Sequence, residues 1–265
     1  MLKIDKLAIV DPKAELGKDV EIGPYAIIGP DAIIGDRTSI SSHAVVEGCV
    51  SLGTDCQVGI GAVIGGMPQD VKYRGERSYV RIGNNNVFRE YVTIHRATGE
   101  DKATAIGDNN MIMAYGHVGH NCVIGNGVMM ANMVNLGGHV LVEDKAVIGG
   151  LTGVHQFVRI GTICMIGGAS RVIQDIPPYM LVDGRPTKVY GLNSIGMRRG
   201  GISSEVRLEL KRAYKLLFRS NNNLTQALEE IEATINTSRE LNHLIEFLKT
   251  MGRGICRESR AQSDG

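Results

Sequence analysis

The chain has no tryptophan, and phenylalanine occurs only four times in 265 residues. Large rings usually carry much of a core's apolar area, so this core must be filled by smaller side chains. Neither sign of charge is in excess: 29 basic against 28 acidic residues leave a formal net charge of +1. Nothing in that balance points to nucleic acid or a membrane surface as the main partner. No run of about 18 apolar residues occurs, so no segment is expected to insert into a bilayer. Met1 is followed by Lys3, Asp5 and Lys6 with no apolar stretch behind them, so no signal peptide is expected. The five cysteines are odd in number and scattered. They suit a reducing cytoplasm better than a disulfide framework. The length fits one large domain, or one domain with an appendage.

What is abundant is glycine, and it recurs. Stepping by six from Ile4 gives Val10, Leu16, Ile22, Ile28, Ile34, Ile40, Val46, Leu52, Val58 and Ile64, all aliphatic. The phase skips Asp70 and Glu76, resumes at Ile82, Phe88 and Ile94, skips Glu100, and runs on from Ile106 to Val172. The position after each aliphatic is glycine 15 times in 29. The position two before is small, as at Ala8, Ala14, Ala26, Ala32, Ala44 and Ala62. A period of six is neither that of a helix nor that of a long strand. It fits a short strand and a turn, repeated, with the aliphatic and small residues inward and glycine relaxing the backbone near the corner. No unit can bury its apolar side alone, so units stack around one narrow core. The predicted fold is a parallel β-helix over residues 1–186; its resemblance to hexapeptide-repeat proteins implies three faces and 18 residues per coil, hence about nine to ten coils.

Two stretches, 67–80 and 97–105, are polar and are predicted to be loops thrown out from the coils. After Pro177-Pro178 the periodicity changes. Residues 179–201 look extended or irregular. Helices are expected over about 204–219, with Ser203 as cap, 225–235 and 239–250. Residues 187–265 thus form a C-terminal helical domain ending in a disordered tail from Arg253. A helical cap would cover one open end of the coil stack.

Seven histidines are present. His120, His139 and His155 fall in hexads that start 18 residues apart, hence on one face of successive coils. His95 and His117 fall one face earlier, with His117 near the corner leading to His120. The five form a band, with Asn121, Asn132, Asn135 and Gln156 close by. Such a band can ligate zinc between subunits, as in the gamma-class carbonic anhydrases, or supply one general base with the others orienting a polar substrate. A scaffold without activity is a third reading. Cys56, Cys122 and Cys164 occupy the inward small slot and are expected to be core atoms rather than nucleophiles.

The ordered segments HVGHNCVIGNG (117–127), GGHV (137–140), GGLTGVHQF (149–157), QDIPPYMLVDG (174–184) and NSIGMRRGGIS (193–203) resemble the acyl-[acyl-carrier-protein]–UDP-N-acetylglucosamine O-acyltransferase family. The resemblance runs from Ile4 into the third helix. It implies an all-β, left-handed parallel β-helix of hexapeptide repeats with a helical appendage, and a cytoplasmic homotrimer with sites between subunits. The implied reaction moves a 3-hydroxyacyl group from acyl carrier protein to the sugar 3-hydroxyl, the first step of lipid A synthesis. Some relatives use a 3-amino acceptor instead. The phosphopantetheine arm of the carrier is the donor; no metal and no tightly bound cofactor are implied. A sibling N-acyltransferase family carries an extra N-terminal domain, for which repeats starting at Ile4 leave no room.

Position by position, His120 matches the family's base and Gly138 its oxyanion donor. Asp70, Lys72, His117, His139, His155 and Gln156 match substrate contacts, and Asn193 and Arg199 match residues at the UDP end. Met165 lines the acyl groove, and Gly168 matches the position that limits chain length, implying a long groove. Three positions depart: Asn121 for an aspartate, Ile195 for an acidic residue, and Gly200 for an arginine, with Arg198 alongside. The first expected helix carries Arg207, Lys211, Arg212, Lys215 and Arg219, a basic stripe suited to docking an acidic carrier protein.

Overall fold

The computed structural model describes residues 2–235, 238–250 and 252–256. Its strands are mostly two residues long and fall into sheets of eleven, nine and eight strands. Strands taken in chain order enter the three sheets in turn, so the chain winds around a triangular prism. Neighbours in a sheet are parallel and 18 residues apart, as in Glu15↔Ile33, Glu21↔Ser39 and Ile27↔Val45. The winding is the left-handed parallel β-helix. Each two-residue strand turns one side chain out and one in. The inward one is the six-step aliphatic: Ile22, Ile28, Ile34, Ile40 and Val46 are all buried. Between them sit Ala26, Ala32, Ala44, Cys56 and Ala62, also buried. Phe88 is the one ring among the fully buried large side chains.

The repeated glycine has a different role from the one expected. Gly17, Gly23 and Gly35 do not have left-handed backbone. The left-handed residue is the third after the aliphatic, and non-glycine side chains hold it: Asp19, Tyr25, Arg37, His43 and Asp55 have φ of 56–60°. The glycine is needed because coils approach closely there. A Cβ on Gly35 would lie 2.5 Å from the carbonyl carbon of Gly53 and 2.8 Å from Thr54 N.

One corner of the prism carries a ladder of side-chain caps. The second residue after the aliphatic turns its N–H outward, and the Asp or Asn one coil on accepts from it. Lys18, Thr54, Asn84, Asp108 and Asn126 donate to Asp36, Asn84, Asp108, Asn126 and Asp144 at 2.6–2.9 Å.

The two interruptions are shorter than expected, because strands resume at Tyr79–Ile82 and Ala103–Ile106. Val63 pairs with Thr93, 30 residues away, so the first excursion adds 12 to the usual 18. Tyr79 pairs with Ala103, 24 away, so the second adds 6.

Strand Met180–Asp183 turns back as an antiparallel hairpin with Lys188–Leu192. The boundary drawn at 186/187 therefore falls in a hairpin turn, and 188–192 stays with the eleven-stranded sheet. The region expected to be irregular also holds a short helix, α1 (Ser194–Arg199), because the Asn193 side chain caps Gly196 N–H. Then come α2 (Ser204–Phe218), α3 (Leu224–Thr234) and α4 (Arg239–Lys249), capped by Ser203, Asn223 and Ser238. Leu210, Ala213, Leu228, Ile231, Leu241, Leu244, Ile245 and Leu248 are buried.

Arg159 ties α4 to the last coils. It donates to Phe247 O at 3.1 Å and Thr250 O at 2.7 Å, and stands 3.9 Å over the Phe247 ring. His243 Nε2 meets Glu143 Oε2 at 2.7 Å on the same side. Residues 253–256, expected to be disordered, are held instead: Asp175 N–H donates to Gly254 O and Cys256 N–H to Asp175 O, both at 2.9 Å. The rest of the expected tail, 257–265, lies outside the described residues.

A Gly35→Ala variant should lose about 1–3 kcal/mol of stability, because backbone rather than a pliable side chain meets the new methyl. A lowered midpoint in thermal melts checks this, and an unchanged midpoint would mean that the coils have slack at that position.

Candidate active site

Four adjacent strands of the nine-stranded sheet, Thr93–His95, His117–Val118, Asn135–Leu136 and Gly153–Val154, bring the histidines together. His95 and His117 were expected one face earlier. His95 joins the sheet because the six-residue excursion shifts the count by one hexad, so that Ile94 pairs with Val118, and His117 because it directly precedes Val118 in the same two-residue strand. A cavity of about 550 Å³ opens here, lined by His95, His117, His120, Gly138, His155 and Gln156 among others.

His120 and Gly138 hold the same place in successive coils. A Cβ at 138 would fall 2.4 Å from His120 Nε2, so the ring has room only because that residue is glycine. On the side away from Gly138, His120 Nδ1 lies 2.8 Å from Asn121 Oδ1. His139 meets His120 edge-on, with centroids 5.3 Å apart, and stacks on Phe157 at 4.6 Å. His117 Nδ1 lies 2.8 Å from Thr93 Oγ1, and its ring meets His95 edge-on at 5.0 Å. His155 Nδ1 is 3.0 Å from Gln156 O.

His120, Gly138 and Gln156 occupy the slot whose N–H is capped by Asp or Asn at the other corner. Here those N–H groups meet no partner among the described residues. The cavity thus offers free main-chain donors beside an imidazole, a setting for an oxyanion next to a base.

Burial, helped by His95 and His120, pushes His117 down to about 4. Burial followed by His120 also lowers His95 and His139. The longer excursion reaches this group. Asp70 is held below the usual carboxylate range, first by the Lys72 N–H, then by Thr98 and the charge of His120. Its charge is felt at His139 as well. Lys72 is exposed on the same loop.

Other expected site residues lie off this cavity. Asn193 caps α1 and donates to Ile163 O at 2.8 Å. Arg199 is exposed at the end of α1. Met165 belongs to the eleven-stranded sheet, and Gly168 follows it. On α2, Lys211, Arg212 and Lys215 are exposed, as is Arg219 just beyond it, while Arg207 donates to Ile202 O at 2.6 Å. Cys56, Cys122 and Cys164 are buried, and burial pushes the Cys122 thiol up to about 12. Gln69 and Arg171 line the cavity and were not singled out. Arg171 had a signal: it stands three 18-residue steps beyond His117, in the row His117, Asn135, Gly153, Arg171. Gln69 sits in a loop without period and had none.

The zinc reading is not favoured. Among the described residues no three His, Cys, Asp or Glu side chains are grouped to hold a metal ion. The Nδ1 atoms of His117, His120 and His155 face separate protein oxygens rather than one point.

A Gly138→Ala variant should fold yet lose at least ~10²-fold in turnover, since it removes the base from its place; wild-type turnover would show that the ring has room to spare. His117 should also make the protein acid-sensitive. Its folded value lies below the ordinary 6.5, so the unfolded chain binds the proton first as pH falls from about 6.5 to about 4. Stability is whole above that window and lost through it, by at most about 3 kcal/mol. His117→Gln should flatten this slope in denaturant titrations at pH 7 and pH 4.5; an equal slope would place the acid sensitivity elsewhere.

Residues 175–256 match the family described as UDP N-acetylglucosamine O-acyltransferase, domain 2, and residues 13–48 match the bacterial transferase hexapeptide family, six repeats. An acyl-[acyl-carrier-protein]–UDP-N-acetylglucosamine O-acyltransferase from Thermodesulfovibrio yellowstonii is 50% identical over 97% of this chain and 100% of its own length. The protein of the same description from Gloeothece citriformis is 50% identical over 77% of this chain and 74% of its own. The crystal structure of a UDP-N-acetylglucosamine acyltransferase from Bacteroides fragilis superposes with a TM-score of 0.93 at 38% identity, over 96% of this chain and 100% of that one. With its prism, its histidine cavity and these relatives together, the chain belongs to the acyl-[acyl-carrier-protein]–UDP-N-acetylglucosamine O-acyltransferase family.

Proposed function

We propose that the protein transfers a 3-hydroxyacyl group from acyl carrier protein to the 3-hydroxyl of UDP-N-acetylglucosamine, the opening step of lipid A synthesis. The observation that carries this reading is the placing of His120 Nε2 against Gly138, whose N–H is uncommitted, inside one polar cavity. A free alcohol is a poor nucleophile, and a positioned base typically supplies about 10²–10⁴-fold. His120 Nε2 takes the hydroxyl proton as the sugar oxygen attacks the thioester carbon. The new C–O bond leaves charge on the former carbonyl oxygen, which the Gly138 N–H receives. Collapse breaks the C–S bond, and the leaving thiolate of the phosphopantetheine arm takes the proton back from the imidazolium. The protons balance with no covalent enzyme intermediate, and the steps call on no metal ion and no tightly bound cofactor.

His117, His139, His155, Gln156, Asp70 and Lys72 surround the acceptor in this reading. Met165 and Gly168 lie on another side of the prism and Asn193 and Arg199 at the two ends of α1, and these four would come from a neighbouring subunit of a homotrimer. An apolar edge of the prism supports that assembly: Leu7, Tyr25, Tyr91, Tyr115, Met133 and Leu151 share one corner of successive coils and are 45–60% exposed. Such a wet seam is unusual on a protein that stays single. The exposed basic residues 211, 212, 215 and 219 suit an acidic carrier. No helix among the described residues is long and apolar enough to cross a membrane, and a cytoplasmic setting agrees with both substrates.

The test is product mass spectrometry with 3-hydroxyacyl carrier protein and either the 3-hydroxyl or the 3-amino UDP-sugar. The hydroxyl acceptor should gain one acyl group, and His120→Ala should lower kcat/KM by about 10²–10⁴-fold. Unchanged turnover in that variant would remove the base, and exclusive acylation of the amine would move the reading to the other acceptor.

A further inference from the structure

His95 ends the strand Thr93–His95 and stands opposite Gly66, the last strand residue before the longer excursion. Its ring lines the histidine cavity and meets His117 edge-on, yet the residue is only 9% exposed. Its Nδ1 is buried and has no hydrogen-bond partner among the described residues. Three other rings of the cavity differ, since Nδ1 of His117, His120 and His155 each has a protein oxygen within 3.0 Å. The Nε2 side of His95 is not sealed in this way. Gly66 stands there, and even an added Cβ would stay 3.8 Å from Nε2, so the facing strand leaves that nitrogen open to the cavity.

A neutral imidazole has one N–H and one lone pair. Burial, followed by His120, lowers the proton affinity of His95, so the ring is neutral near pH 7. A proton on Nδ1 would bury an N–H with no acceptor, a rarer and costlier orphan than a bare lone pair. The proton therefore belongs on Nε2, where it points into the cavity as a donor.

We infer that His95 is a further substrate-binding residue, whose Nε2–H donates to the carbonyl oxygen of the 2-acetamido group on the acceptor sugar. The identity of that group rests on the acyltransferase reading; the uncommitted donor does not. Ile94 pairs with Val118, so His95 stands one rung from the strand that leads to the base. The acetamido group is bonded to the carbon beside the one bearing the reacting hydroxyl, so it lies about one rung's height, ~4.8 Å, from that oxygen. A carbonyl oxygen only accepts, which suits a ring nitrogen that only donates. The hydroxyl that UDP-glucose carries at the same carbon ends two bonds sooner and falls short of the ring. A site built to hydrogen-bond one substituent discriminates against an analogue that lacks it, so His95 also sorts acceptor sugars.

Calorimetric dissociation constants of UDP-N-acetylglucosamine and UDP-glucose, measured on the full-length wild type, His95→Phe and His95→Gln, decide the matter together with nitrogen-15 spectra of histidine-labelled protein. The signal lost in His95→Phe identifies the residue. In the free wild type that signal should show a protonated Nε2 and a bare Nδ1, and UDP-N-acetylglucosamine should shift it. His95→Phe should weaken UDP-N-acetylglucosamine by about 3–10-fold and leave UDP-glucose unaffected. His95→Gln, whose amide N–H can stand near the place of Nε2, should keep most of the preference. A bare Nε2 in the free wild type would overturn the inference. So would His95→Phe binding both sugars as the wild type does, or losing both equally. If the wild type binds neither sugar nucleotide, the acceptor reading fails and the acetamido contact with it, while the nitrogen spectrum judges the donor by itself.

Discussion

Main-chain hydrogen bonds from one coil to the next space this protein, and the rest of its design follows from their pitch. Each rung stands roughly 4.8 Å above the last, as in Gly17 N–H to Ile34 O, Gly35 N–H to Leu52 O and Gly137 N–H to Val154 O. At that pitch two backbones approach closely just after the aliphatic, and where glycine stands there, as at Gly35 and Gly53, a side chain would meet the backbone of the next coil. The inward residues must be narrow for the same reason, so stacked aliphatics and alanines do the work of rings. The site obeys the same spacing. A histidine fits at 120 because the rung above offers glycine at 138.

The free donor beside the base is a default feature of the rung. Apart from Pro12, Pro24 and Pro30, the second residue after an aliphatic brings a main-chain N–H to the corner. Along one corner Asp36, Asn84, Asp108, Asn126 and Asp144 cap these donors. Along the histidine corner the same slot carries His120, Gly138 and Gln156 with the N–H left open. Catalytic potential arises here from leaving out a cap that the scaffold supplies elsewhere.

The period of six made the prism legible in the sequence, because a residue that must be buried on every rung leaves an unbroken trace. The helices after Pro178 were legible through their apolar spacing and their Ser203 cap, whereas α1 has six residues and is too short to show a period. The excursions were visible as polar gaps, but their lengths of 12 and 6 keep the phase. The hexad added by the second one hid the place of His95 on this sheet, and counting each hexad from its aliphatic set His117, which directly precedes Val118, one face too early. The glycines were misread, since a sequence does not distinguish glycine kept for its φ from glycine kept for close approach. His120, His139 and His155 could be grouped by steps of 18, and Arg171 could have been. Gln69 could not, because only the path of a loop brings it to the cavity.

The left-handed corners have a kinetic consequence. Tyr25, Arg37, His43, Asp55 and their equivalents hold φ near +60°, a conformation that costs about 1–2 kcal/mol at each ordinary residue. A solitary rung would bear that strain at its corners with nothing stacked on it in return. Growth becomes downhill only once several rungs lie on one another, and each further rung then adds with a template already in place. Adding a rung to a stack is therefore easier than starting one, and the rungs that hold the base have neighbours on both sides.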